Sequence, residues 1–304
     1  MAAVNLREAA MVAAVATSDE VRNRYANAPK KDDFTIDQDW GSYSAAEHDR
    51  WNRLFARQSK ILEGRACDAF LAALKKLKLS ESGIPDFEVL SDRLSALTGW
   101  SVVPVAGLVP DETFFDHLAN RRFPAGAFIR SEREMDYLEE PDIFHDVFGH
   151  VPLLAEPTYA TFLEEYGKGG ARAMKLGQLH NLARLYWYTV EFGLMRTAQG
   201  RRIFGAGIMS SPAETVFSLK DDSPNRVAFN LERVMRTKYI IDDFQQTYFV
   251  IDSFEALVDE CMRDFGDLYA RLKAKPDIEA HEIVDGDKVL TRGSMRYFKA
   301  RNKA

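Results

Sequence analysis

The sequence predicts a mainly α-helical protein with a few short β-strands, folded as a single domain. Three observations lead there. Apolar residues recur at three-and-four spacing along most of the chain, strand-like runs are short and scattered, and nothing alternates as βαβ units would. With 304 residues, 46% of them hydrophobic and 28% charged, the chain can bury a sizeable core without disulfides or metal staples.

The elements follow in chain order. Residues 1–40 mix small, charged and turn-forming types, including Pro29, Lys30, Lys31, Asp32 and Asp33, and read as an extended, partly mobile arm. The body spans 41–290 and a tail 291–304. Trp51, Leu54, Phe55, Ile61, Leu62, Phe70 and Leu74 have the spacing of one long amphipathic helix. A second helix is framed by Pro85 and Gly99, with Phe87, Leu90, Leu94 and Leu97 on one face. Residues 101–105 read as extended, and a compact helix follows at 113–118. Further helices are expected at 141–149, 157–166, 179–197, 212–219 and 254–274. Strands are expected near 202–209, 238–241 and 247–251, with a hairpin at Asp285-Gly286.

A net charge of -6 with no basic run argues against a broad nucleic-acid or anionic-membrane surface. No stretch approaches the ~20 apolar residues of a membrane span, and no apolar segment follows a basic start as in a signal peptide. A soluble, cytoplasmic protein is expected. It is also expected to be monomeric, since no oligomerisation helix is recognisable. Cys67 and Cys261 lie in helical patterns and read as small buried apolar residues rather than ligands or a disulfide.

The chemistry concentrates in Glu140-Pro141-Asp142-Ile143-Phe144-His145-Asp146-Val147-Phe148-Gly149-His150-Val151-Pro152. Pro141 suits a first helical turn, and Glu139, Glu140 and Asp142 complement the helix dipole. Pro152 disfavours helix at Val151, so the helix should end or unwind near Gly149 and His150. His145 and His150 are five apart, which on a regular helix separates them by about 140°. Only a helix end would let the second imidazole swing back toward the first. By themselves they read equally as a metal pair or as two unrelated histidines, one of them a cap.

Glu191 adds the third element. It is the only charge in Tyr186-Trp187-Tyr188-Thr189-Val190-Glu191-Phe192-Gly193-Leu194. A carboxylate buried there needs a cation or strong donors. An ion pair with Arg184 or Arg196 would serve, but a metal on two imidazoles serves as well and also accounts for the histidines. Two His and one carboxylate leave open positions, as in non-haem Fe(II) oxygenases, whereas a structural zinc site closes with four ligands. His48, His117, His180 and His281 have no comparable setting.

Residues 141–153 and 186–194, together with Phe204-Gly205-Ala206-Gly207-Ile208-Met209-Ser210-Ser211, closely resemble the aromatic amino acid hydroxylases, in particular bacterial members that act on phenylalanine. The resemblance runs from about Trp100 to Phe254. It implies a free-standing catalytic domain that hydroxylates an aromatic ring with Fe(II), O2 and a tetrahydropterin such as tetrahydrobiopterin, with His145, His150 and Glu191 as iron ligands. The pterin would lie along Gly107, Leu108 and Val109, stacked on Phe114, with Tyr186 and Asp146 nearby. Many relatives carry Glu in place of Asp146.

Arg130 would bind the substrate carboxylate, where a guanidinium forms a bidentate pair. Asp142 would orient it, and Ser210 would add a hydroxyl donor. Trp187 and Phe192 would form the aromatic pocket, and Gly207 joins the substrate-binding set. Without the resemblance, Trp187, Phe192 and Phe114 read as well as core aromatics, and Arg130 as a surface ion-pair residue. Leu138 stands where some relatives have threonine. Ile241 is apolar where tyrosine-hydroxylating members tend to be acidic, so L-phenylalanine is the expected substrate.

Two other functions compete. A His-Asp metal phosphohydrolase, prompted by His48-Asp49 and His145-Asp146, gives Glu191 no role. A silent ligand-binding module would not need an intact ligand triad.

Overall fold

A computed structural model of the chain describes residues 24–79, 83–136, 138, 140–263 and 265–301. Local signals set the N-terminal helices. Helix α1 (Ala45–Leu62) opens on a capping box between Ser44 and Glu47. The expected continuation to Leu74 is broken: Gly64 turns the chain at φ 66°, and the next segment leaves the helix to bond with residue 203, through Cys67 N–H to the Ile203 carbonyl and Ile203 N–H to that of Arg65. Helix α2 (Asp68–Lys76) then resumes. Helix α3 (Phe87–Thr98) is capped by Asp86 and stopped by Gly99 in the left-handed region. Its buried face holds Phe87, Leu90 and Leu94, while Leu97, expected on that face, is 41% exposed.

Strand β1 (Ser101–Val105) and β2 (Arg122–Gly126) pair in parallel around helix α4 (Asp111–Ala119). This is a small βαβ unit that the residue pattern did not reveal, because β2 contains Pro124 and Gly126. The site-bearing segments follow. Phe144–His150 forms a π-helical turn that runs straight into helix α5 (Val151–Leu154). Pro152 does not end the helix as expected, because it sits in the first turn of α5, where no helical N–H bond is required. Helix α6 (Pro157–Lys175) runs past the expected limit, and α7 (Leu179–Tyr186) passes into a second π-turn, Trp187–Glu191. The helix expected to reach 197 stops there.

Residues beyond the second π-turn enter a five-stranded sheet. Its order is β4 (Gly200–Ile203), β3 (Leu194–Thr197), β6 (Thr247–Ile251), β5 (Asn225–Ala228) and β7 (Val289–Thr291). The strand expected to extend to Met209 ends at Ile203, and Ala206–Met209 is helix α8. Helices α9 (Pro212–Lys220) and α10 (Leu231–Arg236) follow. Residues 238–241 form no strand, leaving only an isolated bridge from Thr237 to Ile278. The helix expected over 254–274 is two, α11 (Phe254–Cys261) and α12 (Phe265–Ala274). Asp285-Gly286 is a turn but not a hairpin, since β7 crosses to pair with β5. Helix α13 (Arg296–Arg301) buries Phe298.

The core joins both halves through aromatic contacts: the Phe148 ring meets Phe55 and Phe70 edge-on and stacks on Phe144, which in turn meets Trp51. The first π-turn therefore starts from packed side chains. From residue 24 the N-terminal segment is tied to this body, with Tyr25 and Ile36 buried and Ile36 N–H bonded to the Pro104 carbonyl. Residues 1–23 of the expected arm lie outside the described residues. Cys67 is buried and Cys261 partly buried, and both are free thiols. Among the described residues no helix is long and apolar enough to cross a membrane.

Candidate metal centre

The spacing of five between the histidines is resolved by the π-turn. Its wider i→i+5 bonding places residues five apart on the same side, so no helix end is needed to bring the rings together. His145 Nε2 and His150 Nε2 lie 3.2 Å apart. The Glu191 carboxylate, at the end of the second π-turn, is 3.3 Å from His150 Nε2 and 3.7 Å from that of His145. Arg184 and Arg196, the alternative partners for Glu191, are committed elsewhere: Arg184 makes two 2.7 Å bonds to Asp277, and Arg196 pairs with Asp252 at 2.8 Å.

The donor set fits a cation. His145 Nδ1 lies 2.9 Å from Ser210 Oγ, and that hydroxyl donates its one proton to the Ala206 carbonyl. Ser210 then accepts from Nδ1–H, and in the neutral ring His145 Nε2 is the nitrogen that can serve as a metal ligand. Atoms crowded this closely, two imidazole nitrogens and a carboxylate, are held together by a shared proton or by a cation between them. Among the described residues the candidate metal-binding group contains only these three, so a metal here would keep open positions. His150 is oriented differently, by rings: it packs on Phe123 at 5.0 Å and lies roughly parallel to Tyr186 at 6.3 Å.

The third motif holds the two turns in place. A Cβ on Gly205 would fall 2.4 Å from the Glu191 carbonyl oxygen and from the Gly193 nitrogen, and one on Gly149 2.9 Å from the Ala206 carbonyl oxygen. Glycine is required at both points because backbone lies directly against backbone. Gly207 lies against the Phe192 ring and the Glu191 carbonyl. Ser210, expected to donate to a substrate, here bonds His145 and the Ala206 carbonyl.

Arg130 and Asp142 form a buried fork. Arg130 Nε and Nη2 donate to the two Asp142 oxygens at 2.9 and 2.8 Å, and the Arg130 backbone N–H adds a 2.8 Å bond. Burial alone would raise the Asp142 carboxyl, but the Arg130 charge and hydrogen bonds more than offset it and hold it below its ordinary value. Asp142 Oδ1 also accepts from the His145 N–H at 3.0 Å, so one carboxylate serves both the arginine and a histidine of the cluster.

Beside the cluster, Gly107, Leu108 and Asp146 line a cleft with Gly126, Glu140 and Pro141. The Asp146 carboxylate accepts from the Gly126 N–H at 2.7 Å. Val109 is buried, and Phe114 meets Tyr186 edge-on at 5.8 Å, extending an aromatic file to His150. On the other side Trp187 tilts against Phe192 at 4.7 Å and stacks on Tyr239 at 4.4 Å. Ile241, the expected mark of substrate choice, is 40% exposed, and the residue of that segment that stacks on the indole is Tyr239. Sequence reasoning also missed Glu140 as a cleft residue, and Gln245 and Glu214 behind Trp187. Glu140 and Gln245 lie in irregular segments, which give no periodic signal, and Glu214 has the look of an ordinary first-turn helix residue.

Comparison with known proteins agrees with this geometry. The family model described as biopterin-dependent aromatic amino acid hydroxylase matches residues 31–289. The chain is 62% identical over 268 residues to a phenylalanine-4-hydroxylase of Caulobacter vibrioides, covering 88% of this chain and 91% of that protein. It is 52% identical to one from Ralstonia nicotianae, covering 91% and 90%. The crystal structure of the Chromobacterium violaceum phenylalanine hydroxylase with iron and phenylalanine bound superposes with a TM-score of 0.85 at 50% identity, covering 90% of this chain and 100% of that one. A cluster of two histidines and a glutamate on facing π-turns, within a match that spans most of the chain, leaves one conclusion: the chain belongs to the biopterin-dependent aromatic amino acid hydroxylase family.

Proposed function

We propose that this chain is a phenylalanine 4-monooxygenase, converting L-phenylalanine to L-tyrosine with iron, a tetrahydropterin and O2. The observation that carries the reading is the convergence of His145, His150 and Glu191 next to the buried Arg130–Asp142 fork and an aromatic wall. The likeness to phenylalanine hydroxylases at 50–62% identity supports the choice of amino acid. His48 takes no part in the cluster and instead accepts the Ile84 N–H, so nothing favours a His-Asp phosphohydrolase.

His145, His150 and Glu191 would hold the iron, which with the reduced pterin supplies the activation of oxygen. The chain's own residues position and shield. Asp142 takes Nε and Nη2 of Arg130, which leaves Nη1 to meet a substrate carboxylate. Trp187 and Phe192 would flank the ring and exclude water. Phe114, Tyr186, Asp146 and the 107–109 backbone would receive the pterin. The domain limits, 41–290 with an arm and a tail, a cytoplasmic location and a monomeric state complete the reading, and light scattering at twice the chain mass would overturn the last.

The test is incubation with Fe(II), a tetrahydropterin, O2 and each of phenylalanine, tyrosine and tryptophan. Tyrosine from phenylalanine, abolished in Glu191→Ala together with iron binding, is the expected result. Pterin oxidation with no hydroxylated amino acid would overturn the substrate, and full activity in Glu191→Ala would remove that ligand.

A further inference from the structure

Trp187 is fixed by more than its ring contacts. Its indole N–H donates to Gln245 Oε1 at 2.8 Å, and Gln245 Nε2 donates to the Ile240 carbonyl at 2.8 Å. Gln245 is 1% exposed, so both amide ends are spent inside the protein. One end holds the indole, and the other ties it to the segment carrying Tyr239, whose ring stacks on that indole. Only an uncharged side chain with an acceptor and a donor at this reach satisfies both. The Gln245 backbone is anchored in turn: its N–H lies 3.4 Å from Glu214 Oε1, the oxygen to which the buried Tyr248 hydroxyl donates. Trp187 also begins the π-turn that ends at Glu191, so the tilt of the indole and the position of a metal ligand share one turn of backbone.

We infer that Gln245, anchored by Glu214 and Tyr248, is a positioning residue for the substrate ring, setting the Trp187 indole that forms one wall of the pocket. The inference rests on the reading of that pocket as the phenylalanine site. Gln245→Met keeps the length of the side chain and removes both hydrogen bonds. Loss of one such bond predicts about a tenfold rise in the Kd and KM for phenylalanine. Iron per chain should stay at the parent's value, and more tetrahydropterin should be oxidised per tyrosine formed. Tryptophan emission should shift even without iron or substrate. In a Trp187→Phe background the same replacement should add nothing.

Gln245→Asn, a smaller change that keeps a polar amide, should move Kd and KM in the same direction if the Met variant does not fold. Unchanged Kd, KM and emission in the variants, or an effect that adds fully to that of Trp187→Phe, would overturn the inference. A parent that binds phenylalanine but forms no tyrosine, with the emission shift still present in Gln245→Met, would overturn the proposed function alone.

Discussion

The metal cluster and the aromatic wall beside it are built by opposite means. The cluster comes from two contiguous segments, each wound into a π-turn, and a glycine-containing strip lies against both. The wall comes from Trp187 and Phe192 on one segment and Tyr239 on another, joined through the single amide of Gln245. The first depends on backbone against backbone, which cannot yield. The second depends on side-chain hydrogen bonds, which can be lost one at a time. The cluster should therefore fail abruptly under substitution and the wall by degrees.

Gly205→Ala should have the largest effect. The new methyl meets the Glu191 carbonyl and the Gly193 nitrogen, and neither can withdraw without moving the ligand turn. Overpacking of this kind costs about 1–3 kcal/mol or more. Most bound iron should be lost, together with a lower melting temperature. Full iron content in this variant would break the contrast.

Ser210→Ala should have an intermediate effect. It removes the acceptor of His145 Nδ1–H, and such outer partners are worth about 10–100-fold in metal affinity. Iron titration should weaken by that factor while the phenylalanine Kd stays near the parent's. The reverse pattern would return Ser210 to the substrate.

The smallest effect concerns Glu214. Burial pushes its carboxyl up to about 7 from an ordinary 4.5, with the Tyr248 hydrogen bond opposing the rise. A raised value means that the folded state holds the proton more tightly than the unfolded one. The stabilisation is thus complete below about pH 4.5 and is lost as pH rises through 7. Glu214→Gln does not titrate, so its melting temperature relative to the parent should climb between pH 5 and pH 8. A change of a few degrees is expected, at about 2–4 °C per kcal/mol for a large domain. A pH-independent difference would show that the carboxyl ionises as it does in water.

The same contrast governs what could be read in the sequence. Helix α3 was legible because Gly99 marks its stop, and β1 because its run is short and apolar. The cluster was legible because Glu191 is isolated in an apolar stretch and the histidines lie in a distinctive block. Its geometry was not: the sequence suggested a helix end at His150, whereas a π-turn aligns the rings. The wall was half hidden: Trp187 and Phe192 were expected in it, but Tyr239 and the support from Gln245 and Glu214 were not. Ser211 and Glu214 have the spacing of a helix-capping pair, and Ser211 Oγ does accept the Glu214 N–H. Yet the Glu214 side chain turns inward to Tyr248 and Gln245. A long-range partner had overridden a local signal.

Asp142 has a consequence that is thermodynamic rather than geometric. Its carboxylate is shared between Arg130 and the His145 backbone, so a substrate that draws on Arg130 also bears on a residue of the metal cluster. By linkage, whatever factor phenylalanine adds to the affinity for iron, iron must add to the affinity for phenylalanine. Titrating each in the presence and absence of the other measures that shared factor, and Asp142→Asn should bring it toward one.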